Sequence, residues 1–253
     1  MADATKGRLR FTFQDLAQEI GILRAIAGPF IATQSSRSLQ QFADDLEGIW
    51  SAAPDRDLNW QLGDLWTVVS EGEYEPASRR GSRQVVACIS GTWDVRPIGA
   101  NAKKPKERQK RLLEFYGIAS TRIRLFDAKD TKRPIAMWRM ELGDAQSPGC
   151  HFHVQVLGEH DESPFPKSVS IPRLPSIFVT PMAAVEYVLG ELFQERWAKA
   201  AMESTGNVQR WTGFQKQRLL RLLDWQRRTV ERTLTSPWIA LKLEKPEATM
   251  FLA

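Results

Sequence analysis

Three successive segments in the middle of the chain alternate polar and apolar residues, and this pattern constrains the fold more than any other feature. The segments are Thr121–Leu125, Ala136–Leu142 and His151–Val156. A period of two places neighbouring side chains on opposite faces of a β-strand. The connections Asp127–Pro134 and Gly143–Gly149 are rich in turn residues and carry no helical pattern. We therefore predict an antiparallel meander.

Helical patterns flank this β region. Thr12 is a capping residue for a first helix that ends at Gly28, and a second helix is predicted from about Ser38 to Trp50. Thr180-Pro181 begins a third helix, since a capping hydroxyl precedes proline at the first helical position. A last long helix covers about Trp211 to Leu234. Further β-branched runs that extend the sheet are Leu65–Val69, Gln84–Ser90 and Trp93–Arg96.

The resulting fold class is α+β, with a central antiparallel sheet (meander) and helices at the N- and C-terminal ends. We predict a single domain over residues 1–253. It is helical over 10–52, mainly β over 60–160 with a basic insertion at 101–116, and helical over 180–235.

Composition narrows the class of protein. With 42% hydrophobic and 26% charged residues, the chain matches ordinary globular domains. The net charge of +5 is compatible with nucleic acid, anionic nucleotides or an acidic protein partner. Cys88 and Cys150 lie in strand-like runs, so we expect reduced thiols. The start of the chain has no signal-peptide pattern and no apolar window is long enough to span a bilayer, so we expect a cytoplasmic protein without membrane contact.

All three histidines fall within ten residues, from His151 to His160. On a strand, His151 and His153 point the same way, roughly 7 Å apart. If neighbouring strands pair, one sheet face combines these imidazoles with other polar side chains. Those side chains are Arg122, Arg124, Arg139, Glu141 and Gln155.

The residues of this face predict a site that binds phosphate and transfers protons, because histidine transfers protons near pH 7 and arginine binds phosphate in a bidentate manner. Metal-independent RNA cleavage needs two proton-transfer groups and a cation that stabilises the transition state. We predict His151 and His153 as acid and base, and Arg124 and Arg139 as phosphate or transition-state ligands. Glu141 orients a histidine, and His160 is a supporting candidate from the adjoining loop.

Two other interpretations of this face remain open. One is that it is the solvated side of the sheet. The other is a metal site in which His151 and His153 combine with oxygen ligands. The candidate ligands for such a site are Glu141, Asp144, Glu159, His160 and Asp161. Their spacing is not diagnostic, so we assign no metal ligands. The sequence has no P-loop, Rossmann, HExxH or GxSxG motif, and we predict no cofactor.

The string His151-Phe152-His153-Val154-Gln155 resembles the H-x-H-x-Q core of the nucleotidyltransferase branch of the histidine-triad superfamily. That resemblance implies that His153 is a nucleophile toward the α-phosphate of a nucleotide. No asparagine-bearing phosphate loop precedes the string, and a proline-rich stretch follows it.

The order helix, meander, helix is similar to that of ubiquitin-conjugating folds. The essential cysteine of that family follows the meander, and this chain has no cysteine after Cys150. We therefore do not expect the activity of that family, and the similarity leaves open a catalytically silent relative.

Two basic elements predict contact with nucleic acid. The first is a loop leading into a short helix at Leu112–Tyr116, with the basic residues Lys103, Lys104, Lys106, Arg108, Lys110 and Arg111. The second is a stripe on the last helix, where Trp225 is placed to stack on a base among Arg218, Arg221, Arg228 and Arg232. The opposite side of that helix is predicted to be core and contains Leu219, Leu220, Leu223, Val230 and Leu234.

The sequence thus predicts a protein that binds RNA or single-stranded nucleic acid, with a histidine-based, metal-independent nuclease as its candidate activity. The main alternative is a non-catalytic interaction module of a larger assembly, docked through the basic helix onto a nucleic acid or an acidic protein. A metal-dependent hydrolase or nucleotidyl-transfer enzyme that uses His151 and His153 is the third.

Overall fold

The computed structural model describes residues 7–52, 57–75, 81, 83–98, 110–143, 149–156, 173–177 and 179–252. The strands are β1 (Leu9–Thr12), β2 (Leu58–Trp66), β3 (Val85–Ile98), β4 (Leu112–Asp127), β5 (Asp130–Leu142), β6 (Phe152–Val156) and β7 (Arg173–Pro175). The α-helices are α1 (Phe13–Ala27), α2 (Ser36–Ala52), α3 (Pro181–Met202), α4 (Gly206–Arg232) and α5 (Pro237–Leu243).

The seven strands form one antiparallel sheet in the order β2-β3-β4-β5-β6-β7. This is the predicted meander, and the α+β class with helices at both ends is confirmed. The remaining strand, β1, pairs with the first residues of β4, where Leu9 is opposite Phe115. Strand β5 pairs with β4 only from Ser120 onward, so β1 occupies the position beside β4 that β5 leaves empty.

Two segments predicted to be helical are strands. Residues 10–12 belong to β1, in which Leu9 and Phe11 are buried and alternate with arginines. Leu112–Tyr116, predicted as a short helix, begins β4, because Leu113 and Phe115 alternate with polar residues and pair with strands on both sides. A period of two therefore overrides the helical interpretation at both places.

The predicted helix starts are confirmed by their capping bonds. The Thr12 hydroxyl accepts a hydrogen bond from the backbone N–H of Asp15 at 3.0 Å, and Thr180 accepts one from Ala183 at 3.3 Å. Each cap pairs one of the backbone donors that a helix N-terminus leaves free.

One face of the sheet packs against the helices and forms the main core. Phe152 of β6 contacts Trp225 of α4, with ring centroids 5.9 Å apart. At the other end of the sheet, Phe42 of α2 stacks on Trp60 of β2 at 3.8 Å, and the Trp60 indole N–H donates to the Phe42 carbonyl at 2.8 Å. The helices thereby cover one face of the sheet, and the polar residues that alternate along the strands lie on the other face. Each helix among the described residues is too short or too polar to traverse a bilayer.

Helix α4 buries a different side from the one that its sequence predicts. Arg218, Leu222 and Trp225 are buried, whereas Leu220 and Leu223 are exposed. The cause is Glu19 of α1, which is 1% exposed and forms an ion pair with Arg218 Nη1 at 2.7 Å. A buried carboxylate without a cation is strongly destabilising, so this ion pair determines how α4 is rotated about its own axis and which of its sides faces the core.

The rotation of α4 predicts opposite outcomes for two neighbouring leucines. Leu222 is 0% exposed and Leu223 is 46% exposed. We expect Leu222→Ala to lower the free energy of unfolding by about 2–5 kcal/mol, because it leaves a core cavity. We expect Leu223→Ala to change it by less than about 0.5 kcal/mol. Urea unfolding of both variants in dilute solution, where copies of the chain do not contact one another, measures this, and a larger loss for Leu223→Ala would contradict the observed rotation.

A candidate anion-binding face on the sheet

Four side chains form a continuous row across the face of the sheet that points away from the helices. Arg122 of β4 is the register partner of Arg139 of β5, Arg139 is the partner of Gln155 of β6, and Gln155 is the partner of Arg173 of β7. Directly paired residues of antiparallel strands share a face. At roughly 4.8 Å per strand, this arginine row (Arg122, Arg139, Gln155, Arg173) spans about 14 Å.

A second row lies on the same face of the sheet, two residues further along each strand. It consists of Ser120, Glu141, His153 and Pro175. The sequence-based prediction that Arg139, Glu141 and His153 share one face with Gln155 therefore agrees with the register.

Hydrogen bonds join the two rows into one network. The His153 Nδ1–H donates to the Cys150 carbonyl at 2.8 Å, because a carbonyl only accepts, and His153 Nε2 lies 3.2 Å from Glu141 Oε2. The Gln155 amide N–H donates to Glu141 Oε2 at 2.7 Å, while its oxygen accepts from Arg139 Nη2 at 2.9 Å. Arg139 Nε also lies 2.8 Å from Glu141 Oε1. These contacts fix the orientation of the amide and of the carboxylate.

The network keeps Glu141 ionised. Burial alone raises the pKa of Glu141, but hydrogen bonds from His153 and Ser120 and the charge of Arg139 outweigh it and hold the pKa below its usual value. The His153 side chain is 3% exposed, whereas Glu141 is 19% and Arg139 is 30% exposed. A ligand on this face therefore meets Glu141 and Arg139 first, and His153 lies behind them.

The two rows carry more positive than negative charge. Arg122 is exposed, and neither it nor Arg173 forms an ion pair with any residue that the structure describes. Glu141, the one carboxylate of these two rows, balances one of three guanidiniums. Like charges directly opposite each other on neighbouring strands destabilise a sheet, so the Arg122–Arg139 pair favours an anion between them.

The stem of Arg173 packs against Gly149. A Cβ atom at Gly149 would lie 2.7 Å from Cδ of Arg173, so a side chain there would displace the arginine stem. Arg173 is not predicted as a site residue by its sequence context, because its strand has three residues and lies within a proline-rich stretch. The flanking prolines signal extended backbone but not a partner strand.

His151 lies apart from this network. Its side chain is buried, its ring meets Phe152 edge-on at 4.7 Å, and neither ring nitrogen has a hydrogen-bond partner in the described part of the chain. Burial, with the nearby charges of Lys245 and His153, lowers the pKa of His151 to about 3. The ring is therefore uncharged at neutral pH, and a proton-donor role near pH 7 falls to other groups. His160, Asp144, Glu159 and Asp161 lie outside the described residues.

Arg124, predicted as a phosphate ligand, is engaged elsewhere. Its Nη2 donates to Asp64 Oδ1 at 2.6 Å and to Cys88 Sγ at 3.1 Å. Its register partner is Met137, so it lies outside both rows. Burial raises the pKa of the Cys88 thiol to about 12. Cys88 and Cys150 are both free, as expected.

A second arginine cluster on the same sheet face was not predicted. Arg8, Arg10 and Arg96 surround the buried carboxylate of Glu114, with N–O distances of 3.5, 3.0 and 2.5 Å. Arg96 also lies over the ring of Tyr116, 5.1 Å from its centroid. The sequence signal that could have revealed the cluster is the alternation of Arg8 and Arg10 with Leu9 and Phe11.

The predicted basic insertion is the connection between β3 and β4. Lys103, Lys104, Lys106 and Arg108 lie outside the described residues. Lys110 is exposed and Arg111 is buried. Because the connection leaves after Ile98 and returns at Leu112, both of its ends adjoin the Glu114 cluster.

Two members of the predicted arginine stripe on α4 are buried. Arg218 pairs with Glu19, and Trp225 packs against Phe152. Arg221 Nη1 donates to the Leu252 carbonyl at 2.7 Å. The remaining members, Arg228 and Arg232, are exposed; Arg228 pairs with Asp224 at 3.0 Å, and Arg232 donates to the Arg228 carbonyl at 3.1 Å.

No group of three potential metal ligands occurs among the residues whose placement the structure describes. Comparison of the chain with models of known families, with curated proteins and with solved structures finds no match.

The buried state of His151 predicts a specific acid sensitivity. Its pKa of about 3 lies below the ordinary value of 6.5, so below pH 6.5 the unfolded chain binds more protons than the folded one. This residue therefore lowers the free energy of unfolding by up to about 1.4 kcal/mol per pH unit as the pH falls from 6.5 toward 3. We expect His151→Phe to remove this contribution, and urea unfolding between pH 7 and 4 measures it.

The matched control is His153→Gln, which leaves His151 in place and should retain most of the acid sensitivity that His151 causes, because burial is the main cause of its lowered pKa. Identical pH dependence in the native protein and in His151→Phe would contradict the buried, uncharged state of His151.

Proposed function

We propose that this protein binds RNA or another single-stranded nucleic acid along the open face of its sheet. The proposal rests on the arginine row. Arg122 and Arg173 have no ion-pair partner among the described residues, and Arg139 pairs with Glu141, which also contacts His153. Guanidinium groups bind phosphate through paired N–H donors, and an exposed surplus of them favours a polyanion.

The extent of the positive charge favours a chain of phosphates over a single small anion. The row crosses four strands, and the Glu114 cluster lies eight residues from Arg122 along β4, about 26 Å away at the rise of a strand. Three arginines there surround one carboxylate. An open sheet face also suits an extended strand, whose bases and phosphates lie along a surface.

Docking of nucleic acid through the arginine stripe of α4 has less support, because Arg218 and Trp225 are buried. The sheet face is therefore the preferred interface, and metal-dependent chemistry at His153 stays a prediction.

The binding proposal is tested by removing the two arginines of the row that have no ion pair. We expect Arg122→Gln/Arg173→Gln to weaken binding of a labelled single-stranded RNA about tenfold or more. We also expect the slope of log K against log salt concentration to fall by about 0.7 for each phosphate that the variant no longer binds. Fluorescence anisotropy over a range of salt concentrations measures both effects.

Lys129→Gln/Arg133→Gln is the matched control, because it removes the same charge from exposed positions at the β4–β5 turn. Equal weakening in the two double variants would show that net charge, and not the row, determines binding.

A second candidate function is metal-independent RNA cleavage, and the Glu141–His153 pair favours it. Glu141 borders the arginine row, and His153 Nε2 is 3.2 Å behind its carboxylate. In this mechanism the 2′-oxygen of the RNA attacks the adjacent phosphorus, and Glu141 accepts the proton of that 2′-hydroxyl. The 5′-oxygen leaves with a proton from water, and Arg139 stabilises the charge on the phosphoryl oxygens. His153 is then a positioning residue and not the acid.

We expect the native protein to cleave a mixed-sequence RNA in excess EDTA and Glu141→Gln to lose at least 100-fold in rate, about the contribution of a general base. An oligonucleotide without 2′-hydroxyl groups is the control and should bind without being cut. Cleavage by Glu141→Gln at the native rate would contradict this mechanism, and absence of cleavage by the native protein would leave a binding protein only.

A further inference from the structure

The rotation of α4 leaves one of its apolar sides exposed. Leu219, Leu220, Leu223 and Val230 are between 37% and 56% exposed, and at 100° per residue they lie within about 100° of the helix circumference. We call these four residues the leucine stripe. Arg227 falls in the same arc between Leu223 and Val230 and is paired with Asp224 and Glu231, so the stripe is apolar without a break only over Leu219, Leu220 and Leu223. Single exposed leucines are ordinary, but a cluster of this kind marks an interaction surface.

A cavity of about 340 Å³ lies at one end of the leucine stripe, between α3 and α4. Leu219 belongs to both the stripe and the cavity wall. The wall also contains Ile177, Trp197 and Gly190, and a Cβ atom at Gly190 would lie 3.5 Å from Trp197 Cδ1. The stripe and the cavity together form one apolar groove.

The charged side chains of the cavity leave it negative. Arg218 is balanced by Glu19, which also accepts hydrogen bonds from Thr180 at 2.6 Å and Gln215 at 2.9 Å. Glu191 and Glu186 line the same cavity, and neither forms an ion pair with a residue in the described ranges. Burial raises the pKa of Glu186, and a cation beside it would favour its ionised form. The groove therefore favours an apolar occupant that carries a positive charge.

The chain itself contains a helix with this character. On α5, Trp238, Ile239 and Leu243 are exposed at 66%, 46% and 72%. At 100° per residue they fall within about 140°, and the exposed Lys242 lies between them. Lys242 makes no ion pair with the residues that are described. This apolar side with one lysine has no partner among the described residues.

We propose that the protein forms a symmetric dimer in which α5 of each copy occupies the α3–α4 groove of the other. Trp238, Ile239 and Leu243 pack on the leucine stripe, and Lys242 enters the cavity toward Glu186 and Glu191. Because each copy supplies one groove and one helix, a two-fold axis fills both grooves at once and leaves neither helix exposed. The carboxylates at the cavity also explain why the apolar side of α5 includes a lysine.

This inference is independent of the proposed nucleic-acid function. Its test is sedimentation velocity over a wide range of protein concentration, with a charge exchange between two exposed positions. We expect the native protein to be dimeric. Glu191→Lys and Lys242→Glu should each raise the dimer dissociation constant about tenfold or more, and the double variant should recover the native value.

Lys132→Glu is the matched control, since Lys132 is exposed on β5, and it should leave dimerisation unchanged. Leu220→Ser/Leu223→Ser should give a monomer that keeps the native circular dichroism spectrum, because both side chains are exposed in a single copy. A native protein that is monomeric at all concentrations would overturn the proposal. A dimer that neither the charge reversals nor the serine variant weakens would overturn it as well.

Discussion

The arrangement of the helices depends on one buried carboxylate. Glu19 of α1 is paired with Arg218 of α4 and accepts hydrogen bonds from Gln215 and from Thr180, the residue that caps α3. A single acidic side chain thus joins three helices over the sheet. Because the desolvated charge requires its cation, Arg218 turns inward and Trp225 turns with it. The exposed leucine stripe is the direct consequence.

The open face of the sheet follows from a different constraint, which is the strand register. Pairing of Arg122 with Arg139, and of Gln155 with both Arg139 and Arg173, places three guanidiniums in one line. The same register places Glu141 beside His153, so the carboxylate is ionised while its neighbour holds it in place. Shifting any of these strands by one residue would send its polar side chains into the core. The packing of the apolar face against the helices therefore fixes which charged residues lie on the open face.

The sequence predicted features that depend on neighbouring residues better than features that depend on distant ones. Alternation revealed the strands of the meander, and Thr12 and Thr180 were identified as caps, because both signals are local. The rotation of α4 about its axis was predicted wrongly, because apolar residues occur on both of its sides. The residue that decides which side is buried is Glu19, and it lies in α1. His151 was grouped with His153 by the same alternation, yet β6 begins one residue later and leaves His151 in the interior.

The position of β1 has a consequence for how the chain folds. The strand pairs with residues far along the sequence, and its Arg10 contacts Glu114, which is 104 positions later. During synthesis the first strand therefore has no partner until much of the sheet has emerged. Helix α1 follows β1 directly and packs mainly against α4 and α3, which emerge later than the sheet. Such non-local pairing slows folding and exposes an unpaired strand in the meantime.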